Sequence, residues 1–331
     1  MRAAFYRHTG PAAEVLQLGE LPTPEPGPGE VRVRLASSGV NPSDVKTRGG
    51  YRTPDLAFPL LVPHSDGAGT IDAVGAGVDR ARIGERVWVW NAAWKRPFGT
   101  AAEYVTLPSE QAVTLPPGTG FDAGACLGIP ALTALHALRV DAHDGGVAGQ
   151  RVLVAGGAGA VGHYAVQMAR LMGAAQVIAT VGSTAGAEIA LAAGAHAAIE
   201  RRHEDVAARV AALTGGAGID RVVEVDLAAN AALDLALVRP EGRVVVYGSG
   251  QHVAGIPFGP AILKNVRFSF FIVYQLGTAD RAAALGQLGA WLEAGVLQHR
   301  IGPRLPLAGI ARAHEIAQAG GSPGNVVLEI G

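Results

Sequence analysis

The segment Arg151-Val-Leu-Val-Ala-Gly-Gly-Ala-Gly-Ala-Val-Gly162 constrains the fold more than any other, because it reads as a buried strand running through a glycine-rich turn into a helix. Gly157, Gly159 and Gly162 match G-x-G-x-x-G, and a strand before with a helix after is the context in which that spacing marks a dinucleotide diphosphate site. Glycines serve such a loop in three ways: a tight turn, close approach of backbone N–H groups to phosphate, and close packing of helix on strand. The helix is expected to carry Val161, Ala165, Met168, Ala169 and Met172 on one face and to stop at Gly173 as its C′ residue. Its N-terminus turns partial positive charge toward an anion, so Gly156, Gly157, Gly159, Ala160, Val161 and Gly162 form the candidate cofactor-binding loop.

Around this loop the chain changes character. From about Gly149 onward, Val152 to Ala155, Val177 to Val181, Arg221 to Val225 and Val244 to Tyr247 are apolar strand candidates separated by helix-like segments. That alternation predicts a parallel sheet covered on both faces. The earlier part instead shows short alternating strands punctuated by Pro and Gly, as in Pro22-Thr-Pro-Glu-Pro-Gly-Pro-Gly29 before Glu30-Val-Arg-Val-Arg-Leu35, which predicts a compact β-rich unit. Arg267 to Tyr274 is a further strand candidate whose exposed edge needs a cover, and a second copy of the chain would supply one. A helix is expected around Arg281 to Leu292, and Asn325 to Ile330 reads as a strand that returns to the first unit.

Composition excludes several function classes. With 331 residues, 49% of them hydrophobic, the chain can build two substantial cores. No apolar run reaches the roughly 18 residues of a membrane span, and residues 1–8 resemble no secretory signal, so a soluble cytoplasmic protein is expected. A net charge of -1 without a Lys or Arg run argues against a nucleic-acid surface. The single cysteine, Cys126, excludes an intrachain disulfide and a multi-cysteine metal cluster; its apolar neighbours predict a buried, inert thiol.

Motifs spread over the whole chain resemble the medium-chain dehydrogenase/reductases, and within them the zinc-free quinone oxidoreductases related to zeta-crystallin. They are Gly39-Val-Asn-Pro-Ser-Asp44, Gly67-Ala-Gly69, Gly84-Glu-Arg-Val87, Ala102-Glu-Tyr-Val105, Gly128-Ile-Pro130 with Leu132-Thr-Ala134, the glycine loop, and Gly242-Arg-Val-Val-Val-Tyr-Gly-Ser249. The resemblance implies an α/β protein. A GroES-like β-rich catalytic domain at 1–122, completed by 297–331, would be interrupted at 123–296 by a Rossmann doubly wound parallel sheet that binds NADP. It also places Asn41, Ser65 and Ile129 where zinc-dependent relatives carry Cys, His and Cys. None of the three is a good zinc ligand, and no metal is expected; His64 and Asp66 beside them do not complete a site.

NAD-specific sites carry an acid about 20 residues past the glycines, whereas here the strand ends in Gly182-Ser183-Thr184. NADPH is therefore the expected cofactor. Where relatives place a Lys and a Tyr near its 2′-phosphate, this chain has Gly186 or Glu188 and then Arg201, either a replacement cation or a surface arginine. Gly248, Ser249, Phe271 and Asn325 complete the cofactor-binding set that the resemblance implies. In the catalytic set, Asn41 either bonds a substrate carbonyl or the cofactor, or is a turn residue before Pro42; Asp44 shares its loop. Lys46 either stabilises charge on a substrate oxygen or is a solvated lysine, and Thr133 either lies near the nicotinamide or packs at a helix start. Tyr51, Trp94 and Phe271 are candidates for stacking on a flat substrate, or core aromatics. The implied reaction is hydride transfer from NADPH to a quinone, with reduction of an α,β-unsaturated carbonyl, or binding with little turnover, as alternatives; a homodimer is the expected assembly.

Overall fold

Strand alternation and apolar runs resolve into two different sheets. The computed structural model describes residues 1–51, 54–140, 146–322 and 324–331. In chain order the strands are β1 (Arg2–Phe5), β2 (Gln17–Glu20), β3 (Glu30–Val40), β4 (Asp66–Val74), β5 (Arg86–Val89), β6 (Tyr104–Pro108), β7 (Ala112–Thr114), β8 (Arg151–Ala155), β9 (Gln176–Val181), β10 (Ala197–Glu200), β11 (Ile219–Glu224), β12 (Val238–Val246), β13 (Arg267–Phe270), β14 (Ile301–Pro306) and β15 (Asn325–Glu329). They fall into two units, Met1–Ile129 with Gly289–Gly331, and Pro130–Leu288. The divisions after Ile129 and Leu288 differ from those expected near 122 and 296. The cause at the first is visible: the Ile129 N–H donates to Asp66 at 2.8 Å, which ties residues up to 129 to β4.

The first unit is built on β3. Its alternating start buries Val31, Val33 and Leu35 and leaves Arg32 and Arg34 on the other side. The seven-stranded sheet runs β14-β15-β3-β4-β5-β7, and β6 also joins β3. β3 is long enough for two partners on one edge: Glu30 to Arg34 pair with β6, and Ser37 to Val40 pair with β15. The strand expected from Asn325 does return to this unit, where Val326 opposes Val40 and steadies the backbone just before Asn41. Ile71, Val87, Val105, Leu107 and Leu328 fill the core. Full burial of such a side chain stabilises by about 1.5–3 kcal/mol.

The second unit is a six-stranded parallel sheet in the order β10-β9-β8-β11-β12-β13. Successive residues Val152, Leu153 and Val154 are all buried, as a strand covered on both faces requires. Leu153, Ile178, Val222 and Val244 share one cluster with Val206, Val210, Leu227 and Ala231 of the helices Val206–Thr214 and Leu227–Leu237. Strand order reverses at β8, so a crevice opens at the carboxyl ends of β8 and β11, the position at which such sheets bind ligands. β13 is shorter than the strand expected to Tyr274. Its partner β12 ends at Val246, whose carbonyl takes the Phe271 N–H, and the chain then enters a 3-10 turn at Val273–Gln275. β13 is the sheet's edge, with Phe270 62% exposed and Phe258, Ile262 and Leu263 exposed in the helix and turn before it. Among the described residues no helix is long and apolar enough to cross a membrane.

Candidate active site

In the first unit β3 delivers Asn41, and Pro42 starts the helix Pro42–Arg48 with its preset φ. Asn41 is the N-cap, and the Asp44 carboxylate accepts its backbone N–H at 2.8 Å. The Asn41 amide nitrogen Nδ2 donates to Asp66 Oδ2 at 2.9 Å, the same oxygen that accepts from Ile129. Asp66 is fully buried, and burial pushes its carboxyl well above the usual range, an effect that the Ile129 bond opposes and the Asp44 charge reinforces. Its Oδ1 lies where a side chain on residue 128 would begin, 2.2 Å from the Cβ position, so only Gly128 fits there. The consequence is a fixed amide. One N–H of Asn41 is held by Asp66 and its carbonyl oxygen faces the Asp44 N–H in a capping box, which leaves the second N–H as the group it can offer a ligand. Asn41 is thus at once the turn residue and a buried polar group with defined orientation.

Asp44, expected among the catalytic groups, holds the Asn41 backbone. Lys46, on the same helix, places Nζ 4.9 Å from the centre of the Tyr51 ring, a cation–π contact that joins two of the residues singled out in the sequence. Trp94 carries a similar contact from its own neighbour Lys95.

His64 turns away from this site. At φ 75° it enters the core, where Nε2 meets Nε2 of His314 at 2.9 Å and Nδ1 meets the Ser38 hydroxyl at 2.8 Å. Ser38 in turn meets Thr100 at 2.7 Å, and Thr100 donates to the Asp66 carbonyl at 2.6 Å. That carbonyl can only accept, which fixes every proton along the chain. Thr100 donates to Asp66 and Ser38 to Thr100; His64 Nδ1–H donates to Ser38 and His314 Nε2–H to His64. Burial lowers both imidazoles, His314 to about 3 with help from the Arg48 charge, so both are neutral near pH 7. Sequence reasoning missed His314, which lies far along the chain from His64 and carries no motif.

In the second unit the helix Ala160–Leu171 begins at Gly159 and ends with Gly173 in the left-handed region. It buries more than one face: His163, Tyr164, Val166 and Gln167 are buried along with Ala165, Met168 and Ala169. The glycines divide their work. Gly156 takes the tight turn at φ 69°, Gly157 lies against Ala179, and Gly162 backs onto Gly156, whose carbonyl is 2.1 Å from where a Cβ would stand. Gly159 differs, because its φ is −77° and a Cβ there would meet only the Gly156 carbonyl at 3.2 Å. That one contact is tight, and the space around it is otherwise open. Ala160, Val161 and Gly162 provide the helix's first N–H groups, which have no intrahelical acceptor.

At the end of β9 the space beside Gly182 is also open, and Ser183 caps the next helix by accepting the Gly186 N–H at 3.1 Å. The Arg201 N–H is bound to the Val181 carbonyl at 3.1 Å, so this exposed arginine follows β10 right beside Gly182 and Ser183. Glu200, not picked out in the sequence, accepts from Thr184 at 3.0 Å. Gly248 follows β12 and packs on Val225, with the carbonyl 2.3 Å from its Cβ position; Ser249 is next. Phe271 meets His136 edge-on at 4.6 Å, which brings it to the helix Leu132–Arg139 that also carries buried Thr133. Asn325 belongs to the first unit, where it opposes Ile301 and its side chain bonds the buried Cys126 thiol.

The donor set does not suit zinc. Asn41 turns an N–H donor to Asp66, Ile129 offers hydrocarbon, and Ser65 is left without a thiolate or imidazole beside it, since His64 faces His314. Residues 27–117 match the family described as the alcohol dehydrogenase GroES-like domain, and residues 160–289 the family described as zinc-binding dehydrogenase. A quinone oxidoreductase of Pseudomonas aeruginosa is 34% identical to the chain, over 99% of this chain and 98% of its own. A crystal structure of an NAD-dependent alcohol dehydrogenase superposes with a TM-score of 0.90 at 32% identity, covering 100% of both chains. Escherichia coli quinone oxidoreductase complexed with NADPH does so with a TM-score of 0.88 at 26% identity, again over 100% of both.

Proposed function

Because the chain belongs to the quinone oxidoreductases of the medium-chain dehydrogenase/reductase superfamily, we propose that it reduces a quinone with NADPH and without a metal. The observation that carries this reading is Gly159, at the N-terminus of a twelve-residue helix, where a Cβ would meet one atom alone, the Gly156 carbonyl at 3.2 Å, whereas Gly156, Gly157 and Gly162 are held by a left-handed turn or by far closer packing. The glycine that the fold needs least is the one a ligand's backbone approach accounts for. NADPH supplies the hydride when bound. The amides of Ala160, Val161 and Gly162 and the helix dipole hold its diphosphate. Ser183 and Arg201 favour a 2′-phosphate over a 2′-hydroxyl, since no acid follows β9 at Gly182 or Ser183.

Asn41 presents its remaining amide N–H to a quinone oxygen and stabilises the negative charge that grows there; the bond to Asp66 holds that donor in place beforehand. Lys46 adds a cation on the same helix. The overall balance is quinone, NADPH and one proton in, hydroquinone and NADP out. The exposed edge of β13, with Phe270 and Leu263, supports a homodimer joined there, and sedimentation of a Phe270→Asp variant as a monomer tests it.

The deciding experiment follows NADPH oxidation by absorbance with benzoquinones and naphthoquinones, with a 2-alkenal, and with no acceptor, and repeats each with NADH. Quinone-dependent turnover with NADPH supports the reading. Turnover with the alkenal alone transfers the assignment to carbonyl-conjugated double bonds, no oxidation with any acceptor leaves only a binding role, and a strong NADH preference refutes the cofactor.

A further inference from the structure

β11 ends in an acid where an apolar residue would be expected: Glu224 is fully buried. Asp234, two turns along the helix Leu227–Leu237, is buried with it, and the two carboxyls lie within hydrogen-bonding reach of each other. One Glu224 oxygen, Oε1, accepts from Asn230 Nδ2 at 2.9 Å and from the Asp226 backbone N–H. The other, Oε2, has no donor, and neither has Asp234 Oδ2. Two buried carboxylates left in this way would repel each other and strand two polar atoms. A single proton between them removes both problems.

The Glu224 carboxyl holds the Asp226 backbone, and main-chain and Asp226 bonds join that turn to the next one at the carboxyl end of the sheet. The Tyr247 N–H donates to the Glu224 carbonyl at 3.1 Å, the Leu227 N–H donates to the Gly248 carbonyl at 3.2 Å, and the Gly250 N–H donates to Asp226 Oδ1 at 2.7 Å. Val225 between them touches the glycine loop, with Cγ1 3.6 Å from the Cβ position of Gly156. These turns stand at the same end of the sheet as the proposed dinucleotide site.

We propose that Glu224 and Asp234 share one proton, carried by Asp234, and that this carboxyl pair positions the turns at 225–226 and 248–250 for the cofactor. Glu224 is the anion because it already accepts two N–H groups, and Asp234 is the donor that completes its coordination. Burial, together with the charge of Glu224, pushes the Asp234 carboxyl up to about 9. The other groups that face the pair are Asp226, which raises Glu224 further, and the phenol of Tyr247 just after β12, itself raised by burial and by Glu224. Lys264 approaches only the far end of the helix, where it bonds the carbonyls of Leu235, Ala236 and Val238. The positioning role rests on the cofactor reading above; the shared proton does not.

The test uses the full-length protein, Asp234→Asn and Asp234→Ala, with NADPH titrated by fluorescence and thermal midpoints recorded between about pH 7 and about pH 10. Ionisation one unit above the midpoint leaves about a tenth of the molecules competent, so wild-type affinity should fall about tenfold at about pH 10. Asp234→Asn supplies a permanent donor and should hold its affinity across the range, whereas Asp234→Ala should bind about tenfold more weakly throughout. The folded wild type keeps a proton that its unfolded chain has lost, so the midpoint of Asp234→Asn relative to wild type should climb with pH. A midpoint difference that does not change with pH overturns the shared proton. A pH-independent wild-type affinity, or Asp234→Asn as weak as Asp234→Ala, overturns the positioning role. If wild type binds no NADPH at about pH 7, the cofactor reading fails with the positioning role, and the midpoint series alone judges the shared proton.

Discussion

Replacing Gly159 and Gly162 by alanine, one at a time, should separate a glycine kept for a ligand from a glycine kept for the fold. At residue 162 the new Cβ would stand 2.1 Å from the Gly156 carbonyl oxygen and 2.8 Å from both Gly156 C and Gly157 Cα. All three are backbone atoms in a turn already fixed by the left-handed Gly156, so the turn must open by more than an ångström. That places Gly162→Ala at the upper end of overpacking, about 3 kcal/mol, and at about 2–4 °C per kcal/mol the midpoint should drop by about 6–12 °C. At residue 159 the backbone, φ −77° and ψ 174°, suits alanine, and the single contact at 3.2 Å can relax. Alanine is a poorer N-cap than glycine by up to about 1 kcal/mol, but it gains about 0.4–1 kcal/mol through the unfolded chain. The midpoint of Gly159→Ala should therefore stay within about 4 °C of wild type. Its methyl group stands among the first amides of the helix, and the loss of one charge-assisted phosphate bond, about 1.5–3 kcal/mol, weakens NADPH about 10- to 100-fold. Calorimetry and fluorescence titration on the two proteins read both quantities. Unchanged NADPH affinity in Gly159→Ala, or an unchanged midpoint in Gly162→Ala, would refute the division of labour.

What the sequence disclosed and what it hid differ by the range of the interactions involved. The strand, glycine turn and helix at 151–171, Gly173 as helix end and the apolar strands of the second unit rest on local rules, and each is present, though β12 begins already at Val238 and β11 and β12 each stop one residue short of the expected end. The return of Asn325 to β3 was legible too, because a strand at the chain's end needs a partner and the family pattern names one. The left-handed turn was not. It falls on Gly156, one residue ahead of the G-x-G-x-x-G spacing, and in a run of two adjacent glycines only the backbone tells them apart. Asn41 was singled out in the sequence, but its orientation depends on Asp66 and Ile129, 25 and 63 residues from the groups they bind. The helix at 160–171 was read with one apolar face; His163 and Gln167, outside it, bond each other, which lets them be buried as well. Glu224, Asp234 and His314 escaped notice for a shared reason. A buried ionisable residue looks like a surface residue until its partner is brought beside it.

Three further perturbations bear on the first unit and on the cofactor. Asp66→Asn keeps an acceptor for Asn41 and Ile129 and should retain turnover, whereas Asp66→Ala strands both donors at about 1–3 kcal/mol each and should cut kcat by at least about tenfold; equal loss in both variants would show that the carboxyl is needed ionised. Arg201→Ala should raise the KM for NADPH several-fold and leave that for NADH unchanged, and a parallel change in both would return Arg201 to the surface. The His64–His314 pair predicts the shape of the acid limb. Both imidazoles are held below their usual range, so between about pH 6.5 and the lowered folded values the unfolded chain binds protons that the native state refuses. Stability is full above about pH 6.5 and falls with acid by about 1.4 kcal/mol per pH unit for each histidine, about 2.7 for the pair. His314→Phe removes one titrating ring and leaves Nε2 of His64 without its donor, so it should lower stability at pH 7 yet halve the slope contributed by the pair below about pH 6. Urea denaturation at pH 5, 6 and 7 measures that slope, and a variant that loses stability with acid as steeply as wild type would mean that His314 is already charged in the native core.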